Sequence, residues 1–217
     1  MKMNFKRLES YSGKTKSIVV FMHGYGADGA DLLSIGNTLS KNLNDTLFIA
    51  PDAPTKCQIA SIGFQWFPIP SMDGSPEAVA MRELDKISSF VNEWLDNLIT
   101  AEGVKDANVF LFGFSQGTML SLFMGPQRKT SLGGIIGFSG KLVNIEVFKK
   151  RVNSHPPILL IHGNQDQVVS PECLPEAVEE LTSLNFEVQK HMSFGVGHGI
   201  SEDGLSQALK FLKSNIA

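Results

Sequence analysis

The chain has 217 residues, of which 42% are hydrophobic and 19% are charged, and its net charge is −3. This composition is typical of a globular protein that buries a sizeable core, and it offers no electrostatic reason to bind nucleic acid or an anionic membrane. The apolar runs are too short to span a bilayer, so we expect no stable membrane insertion. The first residues lack the apolar segment of a secretory signal, and the two cysteines cannot form a disulfide framework. We therefore expect a cytoplasmic protein.

Short, continuous apolar runs alternate along the chain with stretches of helical periodicity. A continuous apolar run indicates a strand buried on both faces, and strand–helix alternation indicates βαβ units. Predicted strands cover 17–22, 46–50, 108–112, 133–138, 157–161 and 186–192, and predicted helices cover 31–43, 76–99, 118–124, 175–184 and 204–216. We therefore expect an α/β fold with a mostly parallel central sheet and helices on both faces, in a single domain over residues 1–217.

One stretch, residues 52–75, breaks this alternation. It carries no charge between Lys56 and Asp73 but holds several large apolar side chains. Loops of this length inside compact domains are uncommon and are often functional. We interpret the stretch as a lid or substrate loop with Trp66, Phe67 and Ile69 as substrate contacts. The alternative is a covering loop that packs its aromatic side chains on the core.

The first glycine-rich loop, HGYGADG at 23–29, follows a predicted strand and precedes a helix. Its spacing Gly24-x-Gly26-x-x-Gly29 matches the dinucleotide fingerprint, with Asp52 at the end of the next strand as a ribose ligand. However, Asp28 and Asp31 lie at the helix start, where their carboxylates would repel a pyrophosphate. The same loop can instead direct a backbone N–H, that of Tyr25, towards a developing oxyanion.

A second glycine motif, GFSQG at 113–117, lies between a buried strand and a helix. This is the context of a nucleophile elbow, in which the serine occupies a turn too sharp for side chains two residues before and after it. Gly113 and Gly117 meet that requirement and leave Ser115 as the candidate nucleophile. The backbone N–H of the next residue, Gln116, is the second candidate oxyanion donor.

A serine nucleophile needs a base and an acid that orients the base. Among the five histidines, His198 follows the last predicted strand within GVGHGI (195–200), and Asp166 follows the fifth apolar run within HGNQDQVV (162–169). The alternatives are a mobile surface histidine and a turn aspartate, with Asp52 as the reserve acid. The chain order Ser115, Asp166, His198 is that of the α/β hydrolases. Cys57 lies far from any Cys-x-x-Cys or Cys/His cluster, so no metal site is expected.

Six segments carry a specific resemblance across nearly the whole chain: FMHGYGADG, APDAP, GFQWFPI, LFGFSQGTML, IHGNQDQVV and GVGHGI. Together they resemble the phospholipase/carboxylesterase family of small α/β hydrolases, which includes acyl-protein thioesterases. The resemblance implies a Ser115–His198–Asp166 triad, an oxyanion hole of the Tyr25 and Gln116 N–H groups, and activity on esters or thioesters of short to medium acyl chains without a cofactor. Thr118 departs from the family, which commonly has glycine there; its β-branched side chain is expected to crowd the helix or narrow the pocket.

These observations predict a serine hydrolase that cleaves carboxylic esters or thioesters through an acyl-enzyme on Ser115. The expected substrates are small or lipid-like acyl compounds, or an acylated protein. The first alternative is a non-catalytic binding protein with the same fold. A dinucleotide-binding protein is the second and less favoured alternative. The sequence does not separate thioesterase, lysophospholipase and carboxylesterase activities, and it leaves the oligomeric state open.

Overall fold

A central sheet organises the computed structural model, which describes residues 3–57 and 62–216. Its strands, with those of a small hairpin, are β1 (Phe5–Leu8), β2 (Ser17–Met22), β3 (Thr46–Pro51), β4 (Thr55–Lys56), β5 (Phe64–Gln65), β6 (Val109–Phe114), β7 (Gly134–Phe138), β8 (Ile158–Gly163) and β9 (Val188–Ser193). The helices are α1 (Gly29–Ser40), α2 (Pro70–Asp73), α3 (Glu77–Glu102), α4 (Gln116–Met124), α5 (Ile145–Arg151), α6 (Cys173–Ser183) and α7 (Glu202–Asn215).

The seven strands of the main sheet lie in the order β1-β3-β2-β6-β7-β8-β9, and β4 pairs with β5. Only β1 is antiparallel to its neighbour; the other five pairings of the main sheet are parallel. The predicted mostly parallel α/β sheet is therefore confirmed. Parallel strands place their carboxyl ends at one edge of the sheet, and this is the edge where open α/β sheets bind ligands.

Apolar side chains leave the sheet towards both faces, as the continuous apolar runs predict. In β2, Val20 belongs to the core under α3, α4 and α6, whereas Val19 and Phe21 belong to the core under α1 and α7. Every residue of β2, β3, β7 and β8 is buried. Such burial on both faces is the reason that these strands read as unbroken apolar segments.

Outside residues 52–75, one strand and one α-helix of the structure are absent from the sequence prediction. Strand β1 is an edge strand whose sequence, FKRL, is exposed at three of its four residues, so it has no apolar run. Helix α5 has seven residues and buries only Phe148, which is too little for a periodic signal. In the stretch at 52–75, interpreted above as a lid or substrate loop, residues 58–61 lie outside the described residues, and the described remainder contains β4, β5 and α2.

Within the described ranges, no helix combines the length and the apolar character needed to cross a bilayer.

Candidate active site

The turn between β6 and α4 holds Ser115 in a strained conformation. Its φ of 52° and ψ of −113° lie in a region that non-glycine residues rarely adopt. The flanking glycines make the turn sterically feasible: a Cβ on Gly117 would fall on the carbonyl of Met22, and one on Gly113 would lie 2.5 Å from the Thr118 nitrogen. The turn therefore projects the Ser115 hydroxyl beyond the carboxyl edge of the sheet.

Three side chains predicted from separate segments of the sequence meet at this edge. The Oγ of Ser115 lies 3.0 Å from Nε2 of His198, and Nδ1 of His198 lies 2.8 Å from Oδ2 of Asp166. The imidazole also packs against the ring of Phe114, with 4.9 Å between ring centroids. The arrangement is a continuous hydrogen-bonded chain from a hydroxyl, through an imidazole, to a buried carboxylate.

The carboxylate of Asp166 is surrounded by hydrogen-bond donors. Its Oδ1 accepts the backbone N–H groups of Val168 and Val169, both at 2.9 Å, while its Oδ2 receives His198 and lies 3.2 Å from Nε2 of His162. Burial alone would raise the pKa of Asp166, but the hydrogen bonds from His198 and the two N–H groups hold it below its usual value. The carboxylate therefore remains ionised and acts as a fixed acceptor.

The loop that carries His198 is held against the loop that carries Asp166. The N–H of Gln165 donates to the carbonyl of Val196 at 2.9 Å, and the N–H of Gly195 donates to the Asn164 side chain at 2.6 Å. Gly195 adopts a φ of 76°, which glycine accommodates without strain. The loop therefore turns at Gly195, three residues before His198.

The two candidate oxyanion donors follow strands β2 and β6, which end at this edge of the sheet. Within the described part of the chain, the N–H groups of Tyr25 and Gln116 donate no hydrogen bond to another backbone group. His23 supports the first of these turns: its Nε2 accepts the N–H of Ala53 at 3.0 Å, so its Nδ1–H donates to the carbonyl of Gly24 at 2.7 Å. Burial lowers the pKa of His23, which keeps the imidazole in this neutral form.

The side chain of Gln116 makes two hydrogen bonds that the sequence analysis did not predict. This side chain is fully buried; its Oε1 accepts the N–H of Trp66 at 2.9 Å, and its Nε2 donates to the carbonyl of Phe67 at 2.6 Å. The residue after the candidate nucleophile therefore also fixes the loop that follows β5. No local sequence pattern predicts these hydrogen bonds, because the partner residues are 49 and 50 positions away.

A cavity of about 480 Å³ opens beside Ser115. Its apolar walls include Phe67, Ile69, Met72, Met81, Met119, Val143, Val168 and Val169. A cavity of this size and polarity suits the hydrocarbon part of a small ligand. Two of the three predicted substrate contacts, Phe67 and Ile69, therefore lie at the cavity.

Trp66, the third predicted contact, has a different position. Its side chain is only 2% exposed, and its indole Nε1 donates to the carbonyl of His23 at 2.9 Å. Its ring also packs against the imidazole of His23, with 5.0 Å between ring centroids. The structure thus places Trp66 behind the cavity wall, where a buried indole N–H finds its acceptor in the turn before Tyr25. We interpret it as support for that turn.

The glycine loop at 23–29 offers no free helix N-terminus to a dinucleotide. Asp28 caps α1 by accepting the N–H of Ala30 at 2.7 Å, and Asp52 accepts the N–H of Gly29 at 2.9 Å. Two carboxylates of the protein therefore occupy the place of a pyrophosphate. Asp52, the alternative acid for the triad, is therefore already hydrogen-bonded to the first residue of α1.

Thr118 is accommodated by glycines on the neighbouring strand end. It is 1% exposed, its hydroxyl donates to the carbonyl of Phe138 at 2.9 Å, and its side chain occupies the space beside Gly137 and Gly140. The same Phe138 carbonyl accepts the N–H of Ser115 at 2.8 Å. Thr118 therefore packs under the elbow and does not line the cavity, in contrast to the expected narrowing of the pocket.

Another cavity, of about 700 Å³, lies along β9 and is lined by Leu174, Met192 and Phe194, among others. None of the three hydrogen-bonded residues described above lines it, so its size does not indicate the reactive site. Among residues 3–57 and 62–216, no group of three or more His, Cys, Asp and Glu side chains is arranged to hold a metal ion.

Comparison with known proteins gives a consistent result. A sequence model of the phospholipase/carboxylesterase family matches residues 3–216. The acyl-protein thioesterase 1 of Yarrowia lipolytica is 30% identical to this chain, and the comparison covers 91% of each chain. The acyl-protein thioesterase 1 homolog 1 of Dictyostelium discoideum is 28% identical, and the comparison covers 91% of this chain and 90% of the relative. The crystal structure of esterase PE8 is 35% identical, with a TM-score of 0.94 over 99% of this chain and 100% of that one. The acyl-protein thioesterase 2 of Zea mays shares the fold at 23% identity, with a TM-score of 0.78 over 99% of both chains.

Proposed function

The chain belongs to the phospholipase/carboxylesterase family, and from this premise we propose that Ser115, His198 and Asp166 form the catalytic triad of its reaction. The protein is a serine hydrolase of carboxylic esters or thioesters; a binding protein without activity finds no support in the comparisons. The proposed triad rests on one observation, the hydrogen-bonded chain from Ser115 Oγ through His198 to Asp166 beside an apolar cavity.

The proposed mechanism follows from these positions. His198 Nε2 takes the proton of Ser115 while Oγ attacks the acyl carbonyl, and the alcohol or thiol departs with that proton. Asp166 holds Nδ1–H and stabilises the imidazolium. The N–H groups of Tyr25 and Gln116 bind the oxyanion, and loss of one such donor costs about 3–4 kcal/mol of transition-state stabilisation. Water activated by His198 then hydrolyses the acyl-enzyme.

The substrate class is proposed from the cavity and the relatives. Apolar walls at Phe67, Ile69 and Met119 suit an acyl chain, and the relatives named as acyl-protein thioesterases suggest an acylated protein or a lipid-like acyl compound as its carrier.

We place this activity in a single domain. Because Cys57 and Cys173 are free thiols, we place the protein in the reducing cytoplasm.

A fluorophosphonate probe tests the nucleophile directly. Oγ of Ser115 should displace fluoride and form an O–P bond while its proton passes to His198, giving one adduct per chain and parallel loss of p-nitrophenyl butyrate hydrolysis. Peptide mapping by mass spectrometry should locate the adduct on Ser115, and excess ester should slow labelling. An adduct on another residue that removes activity equally well would refute the proposal.

The low pKa of Asp166 predicts the shape of the pH profile. A carboxylate whose pKa is lowered keeps its charge as the pH falls, so Asp166 takes up no proton between pH 7 and pH 5. We therefore expect log kcat/KM for a short p-nitrophenyl ester to change over this range with a slope of no more than about one. A slope of two over this range would mean that the carboxylate of Asp166 is protonated there.

A further inference from the structure

One wall of the apolar cavity is attached to both candidate oxyanion donors. We call residues 64–73 the wall segment, because Phe67, Ile69 and Met72 within it line the cavity. At its start, the N–H of Phe64 donates to the carbonyl of Ala27, and the carbonyl of Phe64 accepts the N–H of Gly26, both at 2.8 Å. The wall segment is thus bonded to the turn that carries the Tyr25 N–H.

The middle of the wall segment is bonded to the second donor residue. Through its side-chain amide, Gln116 contacts the N–H of Trp66 and the carbonyl of Phe67. Both bonds are buried, and breaking either one leaves an unpaired polar group in the protein interior. A displacement of Phe67 therefore acts on Gln116, whose backbone N–H is the second proposed oxyanion donor.

At the end of the wall segment, Asp73 is hydrogen-bonded to Tyr25, the first candidate oxyanion donor. The Oδ2 of Asp73 accepts the Tyr25 hydroxyl at 3.2 Å and the N–H of Ile69 at 3.0 Å, while its Oδ1 accepts the N–H of Ser75 at 2.9 Å. Burial would raise the pKa of Asp73, but the bonds from Ser75, Ile69 and Tyr25 hold it below its usual value. Burial raises the pKa of Tyr25, so its hydroxyl keeps the proton that it donates.

We propose that the Tyr25 hydroxyl and Asp73 are positioning groups that couple occupation of the acyl cavity to alignment of the oxyanion hole. The proposal rests on the function proposed above. An acyl chain long enough to press on Phe67 and Ile69 restrains the wall segment, and the segment restrains the backbone of Tyr25 and Gln116. An acetyl group, with one carbon beyond the carbonyl, does not fill the cavity. Binding energy of the longer chain is therefore expressed in kcat as well as in KM.

Kinetics on p-nitrophenyl acetate and p-nitrophenyl octanoate test this coupling. In Tyr25→Phe the backbone donor remains and only the hydroxyl is lost. We expect the ratio of kcat for octanoate to kcat for acetate to fall about fivefold, the effect of one hydrogen bond. Asp73→Asn should lower the ratio similarly, since one amide oxygen cannot serve donors on both sides of the carboxylate. The double variant should lose no more than Asp73→Asn alone, because that variant already breaks the bond to the Tyr25 hydroxyl.

Tyr11→Phe is the matched control, because Tyr11 is 85% exposed and lies outside the site; it should leave the ratio unchanged. An unchanged ratio in Tyr25→Phe would overturn the coupling. Equal losses on acetate and octanoate would then mean that the hydroxyl supports the fold in general, and no loss on either ester would mean that it has no part in the reaction. Ser115→Ala is assayed in parallel: turnover that stays at a tenth of the native value or above refutes the proposed nucleophile, irrespective of the ratio.

Discussion

Replacing Ser115 with alanine should lower kcat/KM for p-nitrophenyl esters by about 10⁵- to 10⁶-fold, the loss seen when a serine nucleophile is removed from a triad. The substitution deletes the atom 3.0 Å from His198 Nε2 that would form the acyl-enzyme. The N–H groups of Tyr25 and Gln116 remain, and they account for the residual rate over water. Steady-state assays over a series of acyl lengths measure the loss.

Ser121→Ala is a matched control for this variant. Ser121 lies in the same helix as Gln116, is fully buried, and donates its hydroxyl to the carbonyl of Gly117 at 2.7 Å. It is outside the proposed catalytic machinery, so we expect its activity to stay within about threefold of the native value, since about one hydrogen bond of stability is lost. Thermal melting checks that both variants are folded. If Ser115→Ala kept a tenth of the native activity, another residue would have to be the nucleophile.

Replacing Asp166 with asparagine should lower kcat/KM about 10⁴-fold, because it imposes the wrong tautomer on the imidazole. The backbone N–H groups of Val168 and Val169 both donate to Oδ1, so the amide oxygen of the variant must occupy that position. Its NH₂ group then faces Nδ1 of His198, which can only accept. The ring proton moves to Nε2, and Nε2 can no longer take the proton of Ser115.

Asp203→Asn is the control for this substitution, because Asp203 forms an equivalent carboxylate–imidazole contact of 2.7 Å with His191 at the protein surface. Its removal should change kcat/KM by less than about threefold, as expected for a screened surface pair. Comparable losses in the two variants would mean that Asp166 acts through general stability of the loop, and would contradict its assignment to the triad.

Much of the fold was readable from local patterns. The runs SIVVFM and GGIIGF predicted buried parallel strands, and the structure contains β2 and β7 at these places. The exposed edge strand β1 and the short helix α5 were not predicted, since neither buries enough apolar surface to leave a periodic signal. Residues 52–75 were recognised as exceptional, but the pairing of β4 with β5 and the short helix α2 within them were not predicted.

The candidate site divides in the same way. Glycine spacing around Ser115 and the chain order of three polar residues at strand ends were sufficient to nominate Ser115, Asp166 and His198. The sequence did not indicate that His162 lies beside the Asp166 carboxylate, nor that the side chain of Gln116 holds the cavity wall. Trp66 was grouped with Phe67 and Ile69 by composition alone, whereas its buried N–H directs it to the carbonyl of His23.

The sequence by itself determined the strand–helix alternation, the elbow and the family. These features depend on residues within a few positions of one another, where backbone periodicity and steric limits act directly. Only the tertiary structure decided which side chains meet across the sheet edge: Tyr25 and Asp73 are 48 residues apart, and Ser115 and His198 are 83 apart. Such contacts depend on how separate strands and loops pack, because a buried polar group takes whichever partner the whole fold brings within hydrogen-bond distance.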